Sequence, residues 1–438
     1  MKSVSLKYFS EMEQLQENIL DLIENNDNTE ENFQKLTDNI TKFNISEKEP
    51  LLVEFLHLIV NISNNHNRGL NFFAKIERIL KLFKDQIKNI FSNLAILYFF
   101  IPNRRLLLFL IKEQILTFDS AIYHAIKSLS LDNYDKYFYT EMKPFNTVTN
   151  DEIEEDLPLF EERRTIGENH HPICKIIRED LIDDFIIYLN KNNISIESII
   201  YPSIYETNEY LIGKNPRLIE YAAFYGSIQI FQYLKVNGAR MYANIYEYVV
   251  HSNNAEVFHI IQENVKYDSC LHSLKESIKS HHNAVSKYII ENLFDGDFSD
   301  ISLDIIKSFN YSVMNENKIY PDVIAAFAYD YSYLAEQLMQ YIDVNESILR
   351  SEINTYSYDG KQFPFLIAFY EGSYEIVKLL LKQKNIDVNK IFPEPFGNYE
   401  TNALFQAILA NRSDIVELLL NDERTSVNIK IILNYIFK

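Results

Sequence analysis

Apolar residues recur every three or four positions along the first 130 residues. Phe9, Met12, Leu15, Ile19 and Leu22 share one helical face, and Phe33, Leu36, Ile40 and Phe43 repeat the pattern after the polar break Asn25–Asn28. Ser46, with Glu49 three residues on, reads as a capping box, and Pro50 falls in the first turn, where its missing N–H costs nothing. The helix that follows, Leu51 to Ile62, is apolar nearly all round, which predicts a central position. Ser63–Gly69 then breaks the chain. Beyond it Phe73, Ile76, Leu80, Phe83, Ile87 and Ile90 alternate spacings of three and four, a narrow seam for packing on another helix. About three heptads rarely hold two chains together alone, so the seam is expected to pack on the Leu51 helix and not to form a coiled-coil dimer. Arg104–Thr117 and Asp119–Ser130 supply further helices.

Between Asp132 and Glu162 the periodicity disappears, and Pro144 and Pro158 lie inside the stretch. Seven acids between Asp151 and Glu162 surround Ile153, Leu157, Leu159 and Phe160. An acidic–hydrophobic docking motif has this composition, but charge runs more often form a solvated connector, which is the expectation here.

A repeat governs the remainder. In LIEYAAFYGSIQIFQYLKVNGA (218–239), FLIAFYEGSYEIVKLLLKQKNIDVN (365–389) and LFQAILANRSDIVELLLNDERTSVN (404–428), a small residue precedes an apolar pair by eight positions. The three instances are Ala222 before Ile230–Phe231, Ala368 before Ile376–Val377, and Ala407 before Ile415–Val416. A small Ala on a short first helix lets neighbouring units approach closely. Gly226 and Gly372 fall where that helix must end in a left-handed residue, and Asn411 takes the same place. Weaker copies at 249–261, 277–290 and 326–339 keep the spacing, and a further helix pair spans Ile173 to Asn190. About six units are expected from Pro172 onward, in an irregular array.

These positions resemble those of the ankyrin superfamily, whose repeat is about 33 residues long. RTIGEN (164–169), SIYETN (203–208), LIEYAAFYGSIQIFQYL (218–234) and SIKSHHN (277–283) are similar to a divergent protist group of ankyrin-type proteins. Those proteins join an N-terminal helical region to an ankyrin-like domain of unknown function and then to more regular repeats. The resemblance covers nearly the whole chain and implies a fold and a protein-binding role, with no activity. The sequence departs from the pattern in lacking the T-P-L-H tetrapeptide and in having fewer regular C-terminal units. The expected fold is all-α, an N-terminal helical bundle followed by an α-solenoid of irregular ankyrin-like helix pairs. Its expected parts are a helical region over 1–131, an acidic linker over 132–163, a divergent ankyrin-like domain over 164–345 and more regular ankyrin repeats over 346–438.

Composition narrows the functional classes. Lys and Arg number 42 against 62 Asp and Glu, a net charge of −20 with histidine neutral. That charge repels phosphate backbones, and no basic run interleaved with aromatics offsets it, so nucleic acid is not an expected partner. Only 9 Gly and 11 Pro argue against a hairpin-rich β fold. Two cysteines, Cys174 and Cys270, are too few for a disulfide framework and read as reduced thiols. MKSVSLKYFSEMEQ lacks the apolar core of a signal peptide, so the N-x-S sequons at Asn44, Asn61 and Asn193 are read as accidents of composition. The apolar stretch Leu94–Ile111 is cut by Pro102–Arg105, and neither half reaches the ~20 residues of a membrane span. A cytoplasmic chain with no membrane span is expected.

No G-x-S-x-G, H-E-x-x-H, Walker loop or dinucleotide fingerprint occurs. The best metal candidates are Cys270, His272, His281 and His282, with His171 and Cys174 as a second half-site, but their spacing does not suit zinc. His281 and His282 fall at the turn inside their unit, where a structural role is expected. The chain therefore reads as non-enzymatic, with no catalytic residue, cofactor or metal. Asp359–Gly360 suits the reversal of a finger, and no glycine loop supports a phosphate role for Lys361.

The chain has 30 Tyr, 30 Phe and no Trp, and most of them must be core. Tyr356 and Tyr358 before one unit, and Phe392, Phe396 and Tyr399 before the next, fall where the repeat places exposed fingers. These five are the candidate partner-binding residues, and the alternative that they fold back over their own repeat stays open. The expected function is a monomeric protein–protein interaction scaffold whose acidity steers it to a partner with a basic surface. Two other classes stay open: an enzyme or metalloprotein with a site assembled only in the fold, and a self-associating structural protein. Ile431, Leu433, Tyr435 and Phe437 are expected to pack back on Ile415–Leu420 as an improvised cap, and the alternative that they meet another chain stays open.

Overall fold

The computed structural model describes residues 2–129, 131, 133–145, 156–252, 254–267, 270–341, 348–349, 361–362, 364–371, 373–393 and 400–428. The predicted first helices are α1 (Lys2–Glu24), α2 (Thr29–Lys42) and α3 (Glu49–Asn65). Met12, Leu15, Ile19 and Leu36 bury the expected faces, and α3 is central, with every residue from Pro50 to Leu56 buried. Ser46 does not cap α3. Asn44, left-handed at φ 57°, opens a 3-10 turn over Ile45–Glu47 that moves the N-cap to Lys48. Ser46 is then two residues short of the capping position.

The apolar seam belongs to two helices, α4 (Phe72–Lys81) and α5 (Lys84–Ile90), because Phe83 leaves helical geometry at φ −112°, ψ 15°. The break keeps both halves facing inward. Phe73, Ile76, Leu80, Phe83 and Ile87 are all buried, with Phe83 edge-on to Phe55 at 5.7 Å. The seam is thus used inside the chain. α6 (Asn93–Phe100) and α7 (Arg104–Lys112) divide the apolar stretch at Pro102, and Asn103 caps α7 by accepting from the N–H groups of Arg105 and Leu106. Among the described residues no helix is long and apolar enough to cross a membrane.

α8 (Ser120–Leu129), α9 (Tyr134–Tyr137), α10 (Tyr139–Met142) and α11 (Leu157–Ile166) lead toward the array. Most of the acidic run, 151–155, lies outside the described residues. Arg164 anchors α11: it is buried and forks onto both oxygens of Glu141, at 2.7 and 3.1 Å, while donating to the Tyr137 carbonyl at 2.8 Å. Gly167 ends α11 at φ 72°, so close to the bundle that a Cβ would stand 2.9 Å from the Phe73 ring.

Eight helix pairs follow among the described residues. The first four are α12 (Pro172–Arg178) with α13 (Ile182–Lys191), α14 (Leu218–Tyr225) with α15 (Ile228–Val236), α16 (Ile245–Val249) with α17 (Ala255–Asn264), and α18 (Leu271–Lys279) with α19 (Asn283–Asn292). The others are α20 (Ser299–Lys307) with α21 (Tyr311–Asn317), α22 (Val323–Ala328) with α23 (Ser332–Leu338), α24 (Pro364–Glu371) with α25 (Tyr374–Leu381), and α26 (Ala403–Leu409) with α27 (Ser413–Leu420). Through most of the array first helices stack on first helices and second on second, as in a solenoid. The count exceeds the six or so expected. In α20–α21, Ile305 stands eight positions before Val313–Met314, so the spacing survives without the small residue that reveals it elsewhere.

The strands among the described residues are four of two residues each. β1 (Ile348–Leu349) pairs with β2 (Lys361–Gln362), and β3 (Phe392–Pro393) pairs with β4 (Glu400–Thr401), both antiparallel and both on connections between units. The fold is all-α, as the pattern predicts. First helices end in left-handed residues: Asp180, Gly226, His281, Phe309, Asp330 and Asn411 have φ between 50° and 69°. Gly226 and Asn411 occupy the predicted places, whereas Gly372 lies outside the described residues. At Gly226 a Cβ would also stand 3.0 Å from that of Asn254 in the next unit.

Candidate functional site

The N-terminal bundle lies along the edge of the array where first helices turn into second helices. Polar side chains from α1, α3, α6 and the segment after α3 meet successive turns. Asn67 donates to the Phe224 carbonyl (3.2 Å), and His66 to that of Ser280 (2.7 Å). Gln16 donates to Asn310 (2.9 Å), and the His57 ring meets the Asp330 carboxylate at 3.1 Å. Farther along, Tyr98 donates to the Asn411 carbonyl at 2.9 Å. A turn between helices leaves backbone groups unpaired, and these contacts satisfy the Phe224, Ser280 and Asn411 carbonyls.

Two buried carboxyls lie in this seam. Burial pushes Glu54 well above the usual carboxylate range, against the N–H groups of Leu334 and Tyr333, which pull it down. Burial also pushes Glu375 up to about 8, with Lys378 opposing. Neither Glu375 oxygen has a hydrogen-bond partner.

The seam also gathers histidines. His66 follows α3, His251 follows α16, and His281 and His282 form the turn between α18 and α19; all four are buried. Burial, then the neighbouring His66, pushes His281 down to about 3. The same causes, with His251 and His281 added, drive His282 well below its ordinary value. His66 and His282 stack at 4.5 Å between ring centres, and the Glu24 carboxylate reaches His66 Nε2 at 3.2 Å. Among the described residues the one group of His, Cys and carboxylate side chains close enough to share a cation is Glu24, His66 and His282. The suspected ligands separate otherwise: the Cys270 thiol donates to the Leu293 carbonyl at 3.3 Å, and His272 faces solvent. Glu24 and His66 carry no local motif, so spacing along the chain cannot find them.

The opposite edge carries the connections between units. Tyr356, Tyr358, Phe396 and Tyr399 lie outside the described residues; the Phe392 backbone pairs with Thr401 in the β3–β4 hairpin, and its side chain is not among those described. Other connections expose apolar side chains: Tyr201 is 65% exposed, Tyr341 is 70% exposed, and Tyr242, Phe298 and Ile391 are also exposed. Arg217 covers one face of the Tyr242 ring at 4.4 Å and pairs with Glu197 at 2.8 Å. Glu197 in turn accepts from the Arg240 N–H at 2.8 Å, tying two adjacent connections together. Degenerate units lack a readable finger motif, which is why the sequence points only to the last two fingers. The expected cap from Ile431 to Phe437 also lies outside the described residues.

Residues 323–431 match the family model for ankyrin repeats in 3 copies, a span that begins with α22 and takes in the last three helix pairs. None of the curated proteins compared with the chain matches it. Ankyrin repeats are in general protein–protein interaction modules and typically carry no catalytic residues. The C-terminal part of this chain, residues 323–431, is an ankyrin-repeat array.

Proposed function

We propose that the chain is a non-enzymatic scaffold in the cytoplasm that binds a protein partner along the connection edge of its array. The observation that carries this reading is the division of the array's two edges. The bundle occupies the turn edge with a row of polar contacts, while the connection edge keeps Tyr201, Tyr242, Phe298, Tyr341 and Ile391 in solvent. Tyrosine beside arginine, as at Tyr242 and Arg217, is the composition of interface anchors. In this reading residues 1–131 brace the array, 132–163 connect to it, and 164–345 and 346–438 present its surface. Tyr356, Tyr358, Phe392, Phe396 and Tyr399, which the repeat register assigns to fingers, are proposed as further partner-binding residues. The net charge of −20 steers a basic partner surface to it and disfavours nucleic acid. Burial of the 73–90 seam within one chain supports a monomer.

Affinity capture at low and high salt, with wild type and a Tyr201→Ala/Tyr242→Ala double variant, tests the proposal. A specific protein retained by wild type and weakened at least about tenfold in the variant supports it, since interface anchors contribute about 2 kcal/mol or more. A protein retained equally by both, or none retained at either salt, overturns it.

A further inference from the structure

Three elements distant in sequence converge at the fourth unit: the end of α1 with Glu24, the end of α3 with His66, and the turn before α19 with His282. One ligand atom from each lies within 4.8 Å of the others. The Ser280 carbonyl can only accept, so the His66 Nδ1 that meets it at 2.7 Å carries a hydrogen. In the neutral ring Nε2 is then a bare lone pair, and it faces a Glu24 carboxylate oxygen at 3.2 Å. Two acceptors at that distance repel unless a proton or a metal cation lies between them. The separation fits a cation, because ligand atoms bound tetrahedrally at about 2.0–2.1 Å stand ~3.3 Å apart. An imidazole whose Nδ1–H is anchored to a carbonyl is also the arrangement that orients a metal-binding histidine.

A second observation points the same way. His282 is only 4% exposed, yet neither of its ring nitrogens has a hydrogen-bond partner. A buried polar group left unsatisfied loses its hydration with nothing in return. A cation beside Glu24 and His66 would receive the lone pair of the one His282 ring nitrogen that carries no hydrogen.

We infer that Glu24, His66 and His282 form a site for a divalent first-row cation, zinc foremost, that clasps the N-terminal bundle to the fourth repeat unit. Two imidazoles and one carboxylate are a borderline donor set, which suits zinc and not magnesium or calcium. The ligands come from both sides of the seam, so binding favours the docked arrangement.

The test is titration of metal-free full-length chain with zinc alone, read by calorimetry and by melting temperature, followed by cobalt substitution read by visible absorption. The expected result is one zinc per chain, a raised melting temperature and the intense visible bands of four-coordinate cobalt. Glu24→Gln, at an exposed carboxylate, keeps the fold by circular dichroism and weakens zinc binding at least about tenfold. Cys270→Ser/His272→Asn leaves binding unchanged. No uptake by wild type overturns the inference, and so does uptake equal in wild type and Glu24→Gln or uptake lost in the Cys270/His272 variant.

Discussion

Glu54 accepts a hydrogen bond from the backbone N–H of Tyr333 at 2.7 Å, so a carboxyl of the bundle caps a helix of the array. The Leu334 N–H reaches the same oxygen at 3.3 Å, and the Tyr311 hydroxyl meets the other at 3.4 Å. The helix's own N-cap residue, Tyr331, supplies no side-chain cap. The bundle therefore completes the array instead of merely preceding it.

Removing this acceptor leaves buried donors without partners. Glu54→Ala is expected to lower stability by about 2–4 kcal/mol, since each orphaned group costs about 1–3 kcal/mol. Glu54→Gln keeps an acceptor oxygen and resembles the protonated carboxyl that burial favours, so its cost stays below about 1 kcal/mol. Chemical denaturation of the two variants beside wild type checks the difference.

Glu375 predicts a pH dependence of stability. Lys378 and Lys382 on its own element face it, as do Glu49 from the bundle and Asp330 from the preceding unit. Its folded value is raised from 4.5 to about 8, so between those values the folded chain keeps a proton that the unfolded chain releases. Its contribution is full below the lower value and is lost as pH rises through the upper one. Glu375→Gln is expected to stabilise the chain by about 1–3 kcal/mol above pH ~8 and to change little near pH ~5. Melting curves across that window, wild type against variant, give the measurement.

Phe309 holds a left-handed backbone, φ 54°, at the turn of the fifth unit. A non-glycine residue there costs about 1–2 kcal/mol. Its ring lies stacked between Tyr331 at 4.4 Å and His57 at 5.1 Å, and deleting such a ring costs about 3–5 kcal/mol. Packing exceeds strain, so Phe309→Gly is expected to destabilise by about 2–3 kcal/mol despite relieving the backbone. A gain in stability on denaturation would mean that the ring contributes little to the seam.

The helices and the repeat were legible because their signals are local. Ala222 with Ile230–Phe231 and Ala368 with Ile376–Val377 are all buried at the predicted eight-residue spacing. The left-handed turn residues Gly226 and Asn411 followed from the same register. Where a unit substitutes Ile305 for the small residue the signal fades. The capping box at Ser46 failed because a left-handed Asn44 moves the helix start, a backbone choice that residue types alone do not reveal. The docking of the bundle was not legible at all. Gln16 with Asn310, His57 with Asp330 and His66 with Ser280 are single polar contacts between distant segments, and single contacts have no periodicity. The same holds for the exposed Tyr201 and Tyr242, whose connections follow no shared motif.

In the proposed arrangement the bundle occupies the turn edge and a protein partner takes the connection edge. Amide hydrogen exchange of the full chain, with and without the protein it captures, reports on both edges at once. New protection is expected at the segments around Tyr201, Tyr242 and Phe298, with exchange in α1 and α3 unchanged. Protection confined to the outer surface of the bundle, or slowed exchange along the turns at Ser280, Asn310 and Asp330 instead, would contradict it.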